Sequence, residues 1–176
     1  MSDRGFEIRR LDRPSESDVA ALAGVLIACV EGGASVSFML PITRDRAMSF
    51  WTSVARATEA GDRILLVAED DGGIVGTVQL ILDLPENQPH RVDVAKLLVH
   101  PRERRRGIAA ALMSAADDAC REAGRSLMVL DAVTSGDAAR LYERLGWTRA
   151  GDIPGFALYP GGGLCSTTYY YRRLAD

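Results

Sequence analysis

Two apolar runs rich in β-branched residues, Arg63 to Glu69 and Ile74 to Leu82, are separated only by Asp70-Asp71-Gly72-Gly73. Aspartates followed by glycines supply the local hydrogen bonds and the positive φ that a tight reversal demands, so the two runs are predicted to pair as an antiparallel hairpin. Pro85 and Pro89 close the second run. The centre of the chain is therefore β-structure, and the flanking segments are arranged around it.

Phe6 to Leu11 alternates apolar and charged residues as a half-buried strand does, and the cluster Pro14-Ser15-Glu16-Ser17-Asp18 supplies caps for a helix over Val19 to Val30. A link of small residues from Glu31 to Pro41 leads to a second helical pattern, Arg44 to Ala60. Downstream, Val92 to Val99 reads as a strand, Ile108 to Ala123 as a helix stopped by Gly124, and Leu127 to Val133 as a buried strand. Ala138 to Leu145 is a short helix stopped by Gly146, and Trp147 to Ile153 is a strand. Pro154 to Gly163 reads as a Gly/Pro-rich excursion before a last strand over Cys165 to Leu174. The order is that of one mixed α/β domain, residues 1–176, with several hairpin-connected antiparallel strands.

The chain has 176 residues, 47% of them apolar, which suits one domain with a real core. Its formal charge is −3, so any affinity for an anion must be local, and nucleic-acid binding is disfavoured. Cys29, Cys120 and Cys165 are odd in number and far apart, and His90 and His100 are the only histidines. Reduced, packed thiols and no metal site are expected. Met1 to Gly5 lack the apolar core of a leader peptide and no apolar run reaches membrane-spanning length, so a cytoplasmic protein without membrane association is expected.

One local concentration of positive charge stands out, Arg102 with Arg104-Arg105-Arg106 before Gly107. It lies between a predicted strand and a predicted helix. Such a run is often a solvated helix end. A glycine turn at a helix start can instead present free backbone N–H groups to a phosphate, with arginines adding charge-assisted bonds.

The segment Arg104-Arg105-Arg106-Gly107-Ile108-Ala109 resembles the Arg/Gln-x-x-Gly-x-Gly/Ala signature of the GNAT family of acetyl-CoA-dependent N-acetyltransferases. Leu141-Tyr142-Glu143-Arg144-Leu145-Gly146-Trp147 resembles its second hallmark, a short tyrosine-bearing helix followed by glycine and an aromatic. Over nearly the whole chain the sequence is similar to the tabtoxin-resistance branch of that family, through Gly32 to Met39, Lys96-Leu97, Leu130-Asp131 and Asp152 to Gly155. Ala109, Arg105 and Ser135 depart from the commoner glycine, glycine and asparagine.

The resemblance implies a twisted, mostly antiparallel sheet splayed between its fourth and fifth strands and flanked by about four helices. It implies acetyl-CoA as cosubstrate, its pyrophosphate held by Arg104, Arg105, Arg106, Gly107, Ile108 and Ala109, and its pantetheine arm by Leu98, Val99 and Ser135. A lysine-like amine is protonated near neutral pH, with a pKa of about 10.4, so its attack on a thioester needs a proton acceptor. The resemblance assigns this to Asp93 and Asp131, with neither singled out as dominant, and makes Tyr142 the proton donor to the departing thiol. A backbone N–H at Leu98 or Val99 would polarise the thioester oxygen, with direct transfer in a ternary complex and no acyl-enzyme. Ser35, Phe38, Met39 and Tyr159 are expected either to shape the acceptor pocket or to be ordinary loop packing. The acceptor expected is a small-molecule amine, such as a toxin or antibiotic, the alternatives being a protein or peptide amine and a non-catalytic acyl-CoA sensor. Homodimers are common in the family, which makes one an expectation here.

Overall fold

A computed structural model describes residues 5–174 of the chain. Met1 to Arg4, on which the leader-peptide expectation mostly rests, lie outside the described residues.

The elements run β1 (Glu7–Arg10), α1 (Glu16–Glu31), α2 (Arg44–Glu59), β2 (Arg63–Asp70), β3 (Gly73–Ile81), β4 (Arg91–Val99), α3 (Ile108–Glu122), β5 (Leu127–Val133), α4 (Asp137–Arg144), β6 (Thr148–Leu158) and β7 (Leu164–Arg173). The caps explain the helix starts. Ser15 and Asp18 form a reciprocal capping box at α1, and Thr43 Oγ1 accepts the Arg46 N–H at α2. Asp70 Oδ1 accepts the Gly72 N–H in the β2–β3 turn, the reversal read from the sequence.

All seven strands form one sheet in the order β1-β2-β3-β4-β5-β7-β6, antiparallel except for β4 against β5. That parallel pair is short. Arg91, Val92 and Asp93 face Leu127, Met128 and Val129, and beyond Asp93 the two strands separate. The sheet is thus split into a β1–β4 half and a β5-β7-β6 half, joined at the end where Asp93 and Val129 meet.

Alternation along the strands sends side chains to two separate cores. Leu65, Val67 and Leu98 pack under α1 and α2 with Trp51, Leu22 and Leu26. Ile64, Leu66, Val78, Leu80, Val92, Met128 and Leu130 pack on the other face beneath α3 and α4, with Leu112, Met113 and Tyr142. Gly76 in β3 is the tight point of this second layer. A Cβ there would lie 3.1 Å from both Ile108 Cγ2 and Leu98 O and 3.3 Å from Leu112 Cδ1, so the absence of a side chain seats the start of α3 on the sheet.

One sequence expectation is corrected. The chain from Pro154 is not an excursion leaving β6, since the strand continues to Leu158. Ile153 faces Thr167 and Ala157 faces Cys165, so Pro154-Gly155-Phe156 are held in a bulge and the strand resumes beyond it. This is tolerated because β6 is the edge strand, where proline's missing N–H has no neighbour to serve. No helix among the described residues is long and apolar enough to cross a membrane.

Candidate active site

The site is built where β4 and β5 diverge. Antiparallel pairing of β3 with β4 places His100 N–H 2.8 Å from Val75 O and sets Leu98 opposite Thr77 and Val99 opposite Gly76. Ladder alternation turns the N–H and C=O of Leu98 toward β3, and those of Val99 the other way, into the gap. Between Leu98 and Val99, only Val99 therefore offers its backbone to a molecule lying in the split. Its carbonyl also accepts a long 3.4 Å bond from Cys29 Sγ.

Beyond β4 the chain makes a 3₁₀ turn, Pro101–Glu103, and enters α3 through two left-handed residues, Arg105 at φ 66° and Gly107 at φ 82°. Gly107 is the N-cap and no side chain caps the helix. The first-turn N–H groups are therefore free to bind an anion, with the positive end of the helix dipole behind them. The open turn and its cationic surroundings fit a pyrophosphate. Arg106 has a different geometry from the free anion-binding side chain expected. Its guanidinium is ion-paired to Glu103, lies 3.3 Å from Asp70 Oδ2 and donates to Gly5 O at 3.1 Å. It clamps the loop to the β2–β3 turn, leaving its backbone on the loop. Arg104 lies beside Cys29, whose thiol pKa is pushed up by burial and partly drawn back by that guanidinium.

Across the gap, the β5–α4 connection carries Ser135 in a left-handed conformation, φ 60°, with its carbonyl accepting from Arg140 at 2.8 Å.

Tyr142 comes from α4. Its ring is wedged between Trp147 and Tyr170, with centroids 5.7 and 5.9 Å away, and only 5% of the residue is exposed. Its hydroxyl takes part in no hydrogen bond among the described residues. Burial, and secondarily the negative charge of Asp131, push the phenol pKa well above its usual value, so it holds its proton throughout the neutral range. The hydroxyl, engaged by no acceptor among the described residues, is free to donate, while burial makes it a weaker acid than a solvated phenol.

Asp131 and Asp93 lie on the α1/α2 side of the split, one on each bank. Asp131 accepts a bond from Thr167 Oγ1 at 2.8 Å. Asp93 stands at the last position where β4 pairs with β5 and is ion-paired with Arg91, which also donates to Gln88 Oε1 at 2.7 Å. The two carboxylates therefore differ. Asp93 is ion-paired with a neighbouring cation, whereas Asp131 is held only by the Thr167 hydroxyl and has no ion-pair partner among the described residues.

Asp131 also lines a cavity of about 300 Å³. Its roof is the α1–α2 loop, with Ser35, Ser37, Phe38 and Met39; its floor is formed by Asp131 to Val133, Phe156 to Leu158 and Cys165 to Thr167. Ser35 Oγ donates to Leu158 O at 2.9 Å and Leu40 N–H donates to Pro160 O at 2.9 Å, tying the loop to the β6–β7 hairpin. Phe38 meets Phe50 edge-on at 5.3 Å and lines the cavity as well, so both readings of it apply. Tyr159 is not brought to the cavity. It sits exposed in the hairpin turn, its N–H bonded to Gly163 O at 3.0 Å. Sequence reasoning missed Ser37, which the α1–α2 loop brings to the cavity, and Phe156, Cys165 and Thr167, which reach it only through the pairing of β5, β7 and β6.

It also missed the role of Lys96. This residue interrupts β4 in a left-handed conformation, φ 54°, where the pairing with β3 shifts register. Its ammonium bonds Ser37 Oγ at 3.2 Å and lies 5.6 Å from the centroid of Phe50. Burial lowers its pKa, Asp131 opposes the fall and Arg63 adds to it.

Residues 61–149 match the acetyltransferase (GNAT) domain family. The chain belongs to that family of acetyl-CoA-dependent N-acetyltransferases. It is 28% identical over 126 residues, 70% of this chain and 73% of the relative, to an uncharacterised N-acetyltransferase from the hisH-hisA intergenic region of Azospirillum brasilense. Among solved structures it resembles YncA of Salmonella typhimurium, solved with acetyl-CoA, with 21% identity, TM-score 0.78, 98% of this chain and 95% of the other covered. A GCN5-related N-acetyltransferase from Kribbella flavida gives 22% identity, TM-score 0.79, and coverage of 98% and 100%.

Proposed function

We propose that the protein acetylates the amine of a small molecule by direct attack in a ternary complex. The observation that carries the reading is the arrangement around the split: an acceptor cavity lined by Asp131 on the α1/α2 side, the protonated Tyr142 entering from α4, and the turned-out backbone of Val99 between them. Acetyl-CoA, when bound, supplies an acetyl group already activated as a thioester. Ile108, Ala109 and Gly107 would hold its pyrophosphate with backbone N–H groups, helped by Arg104 and Arg105, while Arg106 keeps the turn in place. Val99 and Ser135 would hold the pantetheine arm, and Val99 N–H would face the thioester oxygen. Asp131 draws the proton from the incoming ammonium, directly or through water, and Tyr142 Oη provides a proton to the leaving sulfur. Asp93, with Arg91 beside it, orients the amine and contributes less to its deprotonation.

The α1–α2 loop, tied to the β6–β7 hairpin, bounds the cavity on one side, and its volume of about 300 Å³ supports a small acceptor over a protein amine. The stretch Gly32 to Met39, similar to the tabtoxin-resistance branch, lies in that loop and supports a toxin-like or antibiotic-like acceptor. We further propose a single cytoplasmic domain spanning residues 1–176, with no nucleic-acid partner. Measuring coenzyme A thiol release against amino acids, amino-β-lactams, polyamines, aminoglycosides and peptides tests the reading. Acceptor-dependent release with intersecting initial-velocity patterns is expected. Saturable acetyl-CoA binding without turnover would favour a sensor, and parallel patterns would count against direct transfer.

A further inference from the structure

Lys96 is a charged group that the acetyl-transfer chemistry leaves unused. A lysine ammonium has three N–H donors. One serves Ser37 Oγ, and no other acceptor engages it among the described residues. The ammonium lies on the α1/α2 side, held by the left-handed bulge of β4 and the face of Phe50. Ser37 and Asp131, the hydroxyl it bonds and the anion it feels across the gap, both line the acceptor cavity. Lys96 and Asp131 form no contact ion pair. They face each other from opposite banks of the split.

No carboxylate is in contact with Lys96 among the described residues. Asp93 is already paired with Arg91. Arg63, the other charge felt by Lys96, is a second cation, and it donates to Gln79 Oε1 at 2.6 Å. Gln79 stands opposite Ala95, next to Lys96 in β4, and its fully buried amide nitrogen has no hydrogen-bond partner among the described residues. The Gln79 amide is out of a ligand's reach, but the ammonium donors of Lys96, partly removed from water, are costly unless an acceptor completes them.

We propose that Lys96 binds a carboxylate of the acceptor, which makes the acceptor a zwitterion of α-amino-acid or short-peptide type. This rests on the acetyl-transfer reading above. An ammonium on one bank and a carboxylate on the other are the complement of such a molecule: its carboxylate lies toward Lys96 and Ser37, its amine toward Asp131, within reach of the thioester. Lys96 is thus a specificity residue. It moves no proton in the reaction.

The test compares thiol release from acetyl-CoA with L-amino acids and dipeptides, each beside its C-terminal carboxamide, in the parent, Lys96→Met and Lys96→Arg. Calorimetric titration of the same acids into protein holding coenzyme A gives a readout independent of turnover. The parent is expected to prefer acid over carboxamide by about 10- to 100-fold in kcat/KM, the range of a hydrogen bond to a charged group. In Lys96→Met the ratio should fall to about unity, mainly through KM, and calorimetry should show the acid's affinity lost by a similar factor. Lys96→Arg should restore most of the preference. Equal turnover of acids and carboxamides by the parent overturns the inference while leaving acetyl transfer intact, as does a preference that survives in Lys96→Met. No turnover in either series overturns the inference, and silence across the wider panel of amines as well, with acetyl-CoA bound, overturns the acetyl-transfer reading too.

Discussion

Replacing Tyr142 by phenylalanine separates chemistry from packing at this site. The ring lies against Trp147 and Tyr170, and these contacts remain when the oxygen is removed. Because the hydroxyl has no partner among the described residues, its loss strands no donor or acceptor, and the stability change is expected to stay within about 1 kcal/mol. In a chain of this size that corresponds to about 2–4 °C in Tm. The catalytic effect should be of another order, since removing a positioned general acid typically costs about 10²–10⁴-fold in rate. The raised phenol pKa keeps the donor protonated, so Tyr142 itself should impose no alkaline limb on kcat in the neutral range. The assay is thiol release at saturating acetyl-CoA with the best acceptor, beside a thermal melt and an acetyl-CoA titration. A kcat within threefold of the parent would refute proton donation by Tyr142, and a melt lowered by more than about 4 °C would refute the claim that its oxygen is structurally idle. Tyr142→Ala would not serve, since emptying this ring site costs about 3–5 kcal/mol and confounds folding with catalysis.

Asp131→Asn should lower kcat more than Asp93→Asn, because Asp93 is already offset by Arg91 and Asp131 is not; equal losses, or the reverse order, in kcat would contradict the division of roles. Gly107→Ala places a side chain at φ 82° in open space, so it should cost about 1–2 kcal/mol in denaturant melts from backbone strain alone and weaken acetyl-CoA binding in calorimetry. Gly76→Ala instead pushes the start of α3 off the sheet, and should destabilise by about 1–3 kcal/mol. Burial pushes the Cys120 thiol up to about 11, partly through Asp117, and raises Cys29 as well. Both should therefore resist alkylation at mildly alkaline pH in the folded protein and react only on unfolding, as mass mapping of iodoacetamide adducts would show. For Lys96 the folded pKa is depressed, so between that value and the ordinary lysine range the unfolded chain binds more protons than the native one. Parent stability relative to Lys96→Met should then rise with pH across that window, measured by denaturant melts.

The parts of this molecule that were legible from sequence are those written locally. The Asp70-Asp71-Gly72-Gly73 turn, the Ser15 cap and the glycine before α3 each act through neighbours a few residues away, so residue type alone announces them. Tyr142 and the α3 turn were legible for another reason: the family resemblance marks them, whereas a tyrosine in an amphipathic helix would otherwise pass as core. Pro154-Gly155 shows the limit of local signals. The residues do break the pairing, as expected, but whether the strand then ends or resumes depends on β6 lying at the edge of the sheet, which is a property of the topology. Lys96 was legible only as a family marker, because a left-handed lysine is imposed by the shifted β3–β4 register and no glycine or asparagine signals it. The same non-local pairing decides charge. Arg106 is held by Glu103 from its own turn and by Asp70 from a distant hairpin, while Lys96 is left facing Asp131 across a gap between strands. A cation's function follows from which carboxylates the fold brings within reach of it. In this fold the arginine that looked most available is engaged, and the lysine that looked like an ordinary strand residue has donors to offer.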